Sequence, residues 1–336
     1  MSPVELSILS TLALYAVEGR NALTQNEIYF YLRISLSFPL PLSFPPASPK
    51  LQRGERKRES SNANPDLDPR VRGDDKIKRN HRKPTEKEFA DCLAGLQKNG
   101  QVFKHGDYYS LENRPGIAEE NIRKARRSAE KIKKNKWPLR FLRAMPFARA
   151  IAVTGSVALQ NARPTSDLDL LIIARKGRIW TARVIALLIL EIFKRRREKS
   201  KEKICLNFFA AENAVAPIQN TASANMLLRA IPLFGRNKYY EFLTKNRWVE
   251  NFIYQTSKSA PEVARASLAA KFFEYLLRGS AGDWFEQFFK DWQYKRLTGK
   301  ITTPEYLEHF VLTDEILMLH YPNPKNAKIM SALNSR

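Results

Sequence analysis

The chain has 336 residues, 43% hydrophobic and 11% aromatic, enough for two or three compact units and too apolar for wholesale disorder. Lysine and arginine total 57 against 34 acids; the net charge of +23 favours polyanionic company, whether nucleoside triphosphates, nucleic acid or an acidic membrane surface. Cys92 and Cys205 stand far apart and form no ligand pattern with the four histidines, which argues against a disulfide scaffold or a zinc knuckle.

In chain order, residues 4–18 read as a helix with Leu6, Leu9, Leu12, Ala13 and Val17 at helical spacing. Its apolar run is as long as the hydrophobic part of a signal peptide. It lacks a basic start, follows Glu5 and offers no good cleavage site, so a core helix is expected. Thr24 and Glu27 have capping-box spacing for a second helix. Residues 39–83, rich in proline, serine and charge, show no apolar period and are expected to be a disordered insertion. Within it, LDPRVRGDDK resembles peptides encoded by interspersed palindromic repeats in bacterial reading frames. A third helix follows, with Pro84 near its start, Phe89, Leu93 and Leu96 in one stripe, and Asn99-Gly100 at its end. Two short strands then flank His105-Gly106-Asp107. Three helices and a hairpin, residues 1–38 plus 84–115, outline a winged helix interrupted by the insertion.

Residues 116–148 form a basic helical linker, whose NIRKARRSAEKIKKNKW could follow a phosphate backbone or cover a neighbouring unit with its aliphatic stems. Residues 149–216 alternate strand, turn, strand, helix and strand, a small mixed α/β core. Its helix TARVIALLILEIF is too short to span a bilayer and contains Arg183 and Glu191; a soluble, cytoplasmic protein with no membrane association is expected. The cluster Lys194–Arg197 after that helix reads as an exposed turn, with attraction of an anionic ligand as the other reading. Residues 217–336 show helical patterns alone, which predicts an all-helical C-terminal domain with Trp248, Trp284, Phe288 and Trp292 in its core. The expected class is α+β: a small mixed-sheet core between a winged helix and a helical domain.

The stretch with most chemistry is AIAVTGSVALQNARPTSDLDLLIIA, residues 150–174. Gly155-Ser156 ends an apolar strand and opens a helical turn, where backbone N–H groups and the hydroxyl can hold phosphate. Asp167 and Asp169 lie two apart at the start of the next strand, so both carboxylates share one face while Leu168 and Leu170 point into the core. Two hard oxygen ligands on one face suit Mg²⁺ or Mn²⁺.

These residues resemble the signature of the DNA polymerase beta-like nucleotidyltransferases, and in particular the minimal nucleotidyltransferases, where Ala162-Arg163-Pro164 and Ser166 also find counterparts. The close match spans about 25 residues, and the order of elements extends it to about 65. The resemblance implies metal-dependent transfer of a nucleoside monophosphate from a nucleoside triphosphate to an acceptor, either nucleic acid or a protein group, with release of pyrophosphate. Gly155, Ser156 and Ser166 would then bind the nucleotide, and Asp167 and Asp169 the metal. Two departures bear on turnover. The strand KICLNFFA offers Asn207 where the family supplies a third carboxylate, leaving Glu212, just beyond, as a substitute. Val157 stands where an arginine often follows Gly-Ser. The alternative is a non-catalytic nucleotidyltransferase-like fold, acting as a winged-helix DNA-binding regulator or antitoxin-like partner.

Overall fold

A computed structural model describes residues 1–17, 19–32, 82–196, 202–219, 221–253, 268–299 and 310–319. All but the last two residues of the expected insertion lie outside this set.

The N-terminal unit packs helices α1 (Pro3–Val17), α2 (Gln25–Phe30) and α3 (Glu86–Lys98) against a small antiparallel sheet. Its strands β1 (Leu23–Thr24), β2 (Phe103–His105) and β3 (Tyr108–Ser110) lie in the order β1-β3-β2. Both α2 and α3 start in capping boxes, Thr24 with Glu27 and Thr85 with Glu88, so side chains satisfy backbone donors that a helix start leaves open. The β2–β3 turn needs Gly106, whose φ of 61° disfavours any side chain. Ile8, Leu12, Leu23, Phe89, Leu93 and Leu96 fill this unit's core.

Helices α4 (Ile117–Lys134) and α5 (Lys136–Arg143) lead into the central sheet. There β4 (Ala148–Thr154), the single-turn α6 (Gly155–Ala158), β5 (Leu168–Ala174), α7 (Ile179–Ile192) and β6 (Ile204–Ala211) follow in turn. Strands β4 and β5 are antiparallel, β5 and β6 parallel.

Beyond residue 216 come α8 (Thr221–Arg229), β7 (Ile231–Phe234), α9 (Arg236–Lys245), a 3-10 turn (Arg247–Asn251), α10 (Leu268–Leu276), α11 (Gly279–Thr298), β8 (Phe310–Leu312) and β9 (Ile316–Leu319). The six strands line up as β7-β4-β5-β6-β9-β8. The expected all-helical C-terminal domain is therefore corrected: residues 217–336 supply three strands of the central sheet. Each is three or four residues long and apolar without alternation, a pattern that does not distinguish strand from buried helix. Pro232 further disguises β7; as an edge strand, β7 tolerates the missing N–H.

Helices cover both faces of the sheet. Leu168, Leu170 and Ile172 of β5 point to the side of α5, α7 and α11. Leu171 and Ile173 point to α8 and α9. Glu286 of α11 accepts the Trp180 and Thr181 N–H groups at the start of α7, which fastens α11 to the sheet layer. The aromatic residues of α11 also depart from expectation. Trp284, Phe288 and Trp292 are 61%, 51% and 48% exposed, because Gly282, Gln293 and Leu297 form the buried face. Trp248 does pack against the core, beside Phe252.

Candidate functional site

The candidate site lies where β4 ends and β5 begins. Thr154 and Asp169 are paired across these strands, and the chain turns into α6 at Gly155. This glycine has φ of 64°, and a Cβ at its position would collide with Oδ2 of Asp169. Both the left-handed conformation and the close approach require glycine. Asp169 therefore rests against bare backbone at the mouth of a helical turn, while Val157, one residue beyond Ser156, is fully buried.

Opposite Gly155, Asn207 of β6 donates from Nδ2 to Oδ1 of Asp169 at 2.9 Å. The Cys205 thiol donates to Oδ1 of Asn207 at 2.6 Å. Lys203 Nζ lies 3.3 Å from Oδ2 of Asp167. Lys203, Cys205 and Asn207 alternate along one face of the chain entering and forming β6, so period two gathers all three beside the carboxylates. Asn207 was expected; Lys203 and Cys205 were not, although the same alternation brings them there.

Burial first, then the neighbouring Asp167, lifts the Asp169 carboxyl from 3.8 to about 7, against the opposing charge of Lys203. Burial and the two aspartates push the Cys205 thiol up to about 12, so it serves as a neutral donor and not a nucleophile. Asp167 and Asp169 would hold a divalent cation such as Mg²⁺ through two hard oxygens, and its charge would offset the crowding of the two carboxyls. Among the described residues, no group of three or more His, Cys, Asp or Glu is placed to hold a metal.

Two other expected site residues have different settings. Ser166 accepts the Arg163 N–H at 2.9 Å and donates its own N–H to the Arg163 carbonyl at 3.1 Å, so its hydroxyl closes the turn before Asp167. Glu212 does not join the site. It follows the last residue of β6, its N–H bound to Ala174 at the far end of β5. Asp169 and Ala174 are five residues apart on that strand, which is about 17 Å. The parallel run of β6 beside β5 carries Glu212 away from Asp169.

Helix α4 has a role that its charge did not reveal. Ser128 accepts the Ala162 N–H at 3.2 Å, Arg127 donates to the Ala162 carbonyl at 3.1 Å, and Lys131 donates to the Pro164 carbonyl at 3.2 Å. Arg20 of the N-terminal unit donates to the Leu159 carbonyl at 3.1 Å. The loop between α6 and Asp167 is thus clamped from outside by four side chains. Arg20 is itself joined to Glu27, and Glu27 faces Arg229 of α8 at 3.6 Å, so the N-terminal unit, the loop and the sheet layer share one buried polar contact. Lys194–Arg196 turn away from α7, with Lys194 and Arg196 exposed; Arg197 lies outside the described residues.

No protein-family model, curated protein or solved structure matches the chain.

Proposed function

We propose that the chain is a Mg²⁺-dependent nucleotidyltransferase that moves a nucleoside monophosphate from a nucleoside triphosphate onto an acceptor hydroxyl. The observation that carries this reading is the seating of Asp169 against the bare backbone of Gly155, with Asp167 two residues away on the same face. In the reaction, the acceptor oxygen bonds to the α-phosphorus, the bond from that phosphorus to the β-phosphate bridge breaks, and pyrophosphate leaves. Asp167 and Asp169 would hold the metal, which supplies charge neutralisation to the polyphosphate. Gly155 and Ser156 offer a turn into which the phosphate chain fits. Asn207 fixes the rotamer of Asp169 through Oδ1. Lys203 offsets part of the negative charge of Asp167. Asn207 cannot take the acceptor's proton, which passes to solvent. The N-terminal unit has the element order of a winged helix, and its Arg20, bonded to the Leu159 carbonyl, ties that unit to the loop before Asp167.

A second reading is favoured by Lys203 and Asn207. A lysine 3.3 Å from Asp167 and an amide in place of a third carboxylate suit a fold that no longer turns over. The protein would then act as a regulator or antitoxin-like partner, reading DNA through α3.

Incubation with α-labelled ATP, CTP, GTP and UTP plus Mg²⁺ separates the two. Label should move into protein or added RNA, and Asp167→Ala/Asp169→Ala should reduce it at least about a hundredfold. Equal label in both proteins removes the transferase reading. Salt-titrated binding of duplex DNA that drops in Lys87→Ala/Lys98→Ala would support the second.

A further inference from the structure

Between residues 117 and 143 stand ten lysines and arginines against three glutamates. Half of the ten are committed within the fold. Lys124 pairs with Glu120, Arg126 with Glu130 and Lys134 with Glu202, while Arg127 and Lys131 hold the loop carbonyls described above. The other five are Arg123, Lys133, Lys136, Arg140 and Arg143. None has a carboxylate within 4.0 Å or a hydrogen-bond partner among the described residues. Four of these five, all but Arg123, line one cavity of about 660 Å³.

The cavity's floor is apolar. Leu139 of α5, Ile151 of β4 and Phe234 of β7 contribute to it, and the Arg143 guanidinium lies 5.6 Å from the Phe234 ring centre. Ile151 and Phe234 are cross-strand partners whose side chains face the α5–α7 layer. Asp169 faces the other side of the sheet, so the cavity is separate from the carboxylate site. Its size falls in the range of small-molecule sites.

We propose that this cavity binds a nucleotide unit, taken either free or as one residue of a single strand. Four unpaired cations call for a ligand with several negative charges, which a fatty acid or a single carboxylate does not supply. Inorganic polyphosphate would satisfy the cations but leave the apolar floor without a partner. A flat base attached to phosphate meets both demands, with the floor beneath it and guanidinium planes beside it. A planar bilayer cannot enter a concave site of this shape. Next to the mouth, on the adjoining strip of α5, Trp137 and Phe141 are 59% and 51% exposed, and Arg140 lies 5.7 Å from the Trp137 ring. Exposed rings beside a basic groove are the means by which proteins stack successive bases of a strand.

The test is made with the full-length protein in EDTA, which keeps metal-dependent binding at Asp167 and Asp169 out of the signal. ATP is titrated by calorimetry and a labelled twelve-residue oligoadenylate by fluorescence anisotropy, each at several salt concentrations. Lys133→Ala/Arg140→Ala/Arg143→Ala should weaken the bound ligand at least about tenfold and flatten the salt dependence. Ala144→Trp, which fills the cavity without changing charge, should weaken it comparably. Asp169→Ala should leave it unchanged, so this site stands or falls apart from nucleotidyl transfer. Tight ATP binding identifies a free nucleotide; binding of the oligonucleotide alone identifies a strand. The proposal is overturned by any of three results: neither ligand binds, Ala144→Trp binds as well as wild type, or Lys87→Ala/Lys98→Ala/Lys104→Ala causes the same loss. Far-UV circular dichroism of every variant confirms that a loss is not unfolding.

Discussion

The β5–β6 pair has acids and bases at both of its ends, and the two ends treat them in opposite ways. At the end of Ala174 and Ala211, Glu274 of α10 meets Arg149 through two hydrogen bonds of 2.9 and 3.0 Å and also accepts the Phe147 N–H at 2.7 Å. Burial pushes the Glu274 carboxyl up, but these bonds more than offset it and hold the group below the ordinary carboxylate range. At the Asp169 end, one amide and one lysine face two carboxylates, and Asp169 rises to about 7. The first end is a fastener whose charges are satisfied. The second sets two carboxyls against a single cation, and burial with the neighbouring like charge concentrates the imbalance on Asp169.

The largest expected effect comes from crowding the second end. Gly155→Ala forces a methyl group onto Oδ2 of Asp169 and holds alanine at φ 64°. Label transfer should fall at least about a hundredfold, with a stability loss of about 1–2 kcal/mol from backbone strain. Transfer at the wild-type rate would mean that the glycine contact does not position the carboxylate. At the fastener end, Glu274→Ala leaves a mostly buried guanidinium and the Phe147 N–H without their acceptor. A loss of about 2–3 kcal/mol is expected from the urea midpoint, with transfer chemistry intact in the folded fraction.

What was legible in the sequence follows the same division. The Gly155-Ser156 turn and the Asp167/Asp169 pair could be read because they depend on local rules: a left-handed glycine and a period of two. Asn207 was legible for the same reason. Lys203 and Cys205 obey that period too, but a lysine and a cysteine do not by themselves suggest an acidic site. Glu212 was misplaced because proximity in sequence to Asn207 says nothing about which end of a parallel pair a residue reaches. The strands at 231–234, 310–312 and 316–319 exist as additions to sheet edges, and such pairing leaves little trace in segments this short. On α11, aromatic residues at 284, 285, 288, 289 and 292 occupy more than one side of the helix, so their spacing does not choose the buried face.

A smaller effect separates the ends by pH. Folded Asp169 keeps its proton to about pH 7, whereas the unfolded chain releases it near 3.8. Between those values the folded state binds more protons, so the contribution of Asp169 to stability falls as pH rises. Glu274 has the opposite sign: its contribution is complete above the ordinary value of 4.5 and is lost as pH falls below it. In chelator, Asp169→Asn should therefore match wild type near pH 4 and pull steadily ahead of it as pH rises to about 7. Thermal melts across this range provide the measurement. A difference that does not grow with pH would remove the electrostatic contrast between the ends.

The smallest effect belongs to Glu212→Gln. Glu212 is about one-third exposed, stands 4.0 Å from Arg149 Nε, and accepts the Lys176 N–H at a long 3.4 Å. Glutamine retains a carbonyl oxygen for that N–H, while Arg149 keeps its two bonds to Glu274. An exposed pair at this distance contributes little, so stability should change by no more than about 0.5 kcal/mol. Label transfer should also be unchanged, since about 17 Å of strand separates Glu212 from Asp169. A transfer rate that collapses in Glu212→Gln while the urea midpoint stays fixed would place catalytic chemistry at the fastener end and reverse the roles of the two ends of the sheet.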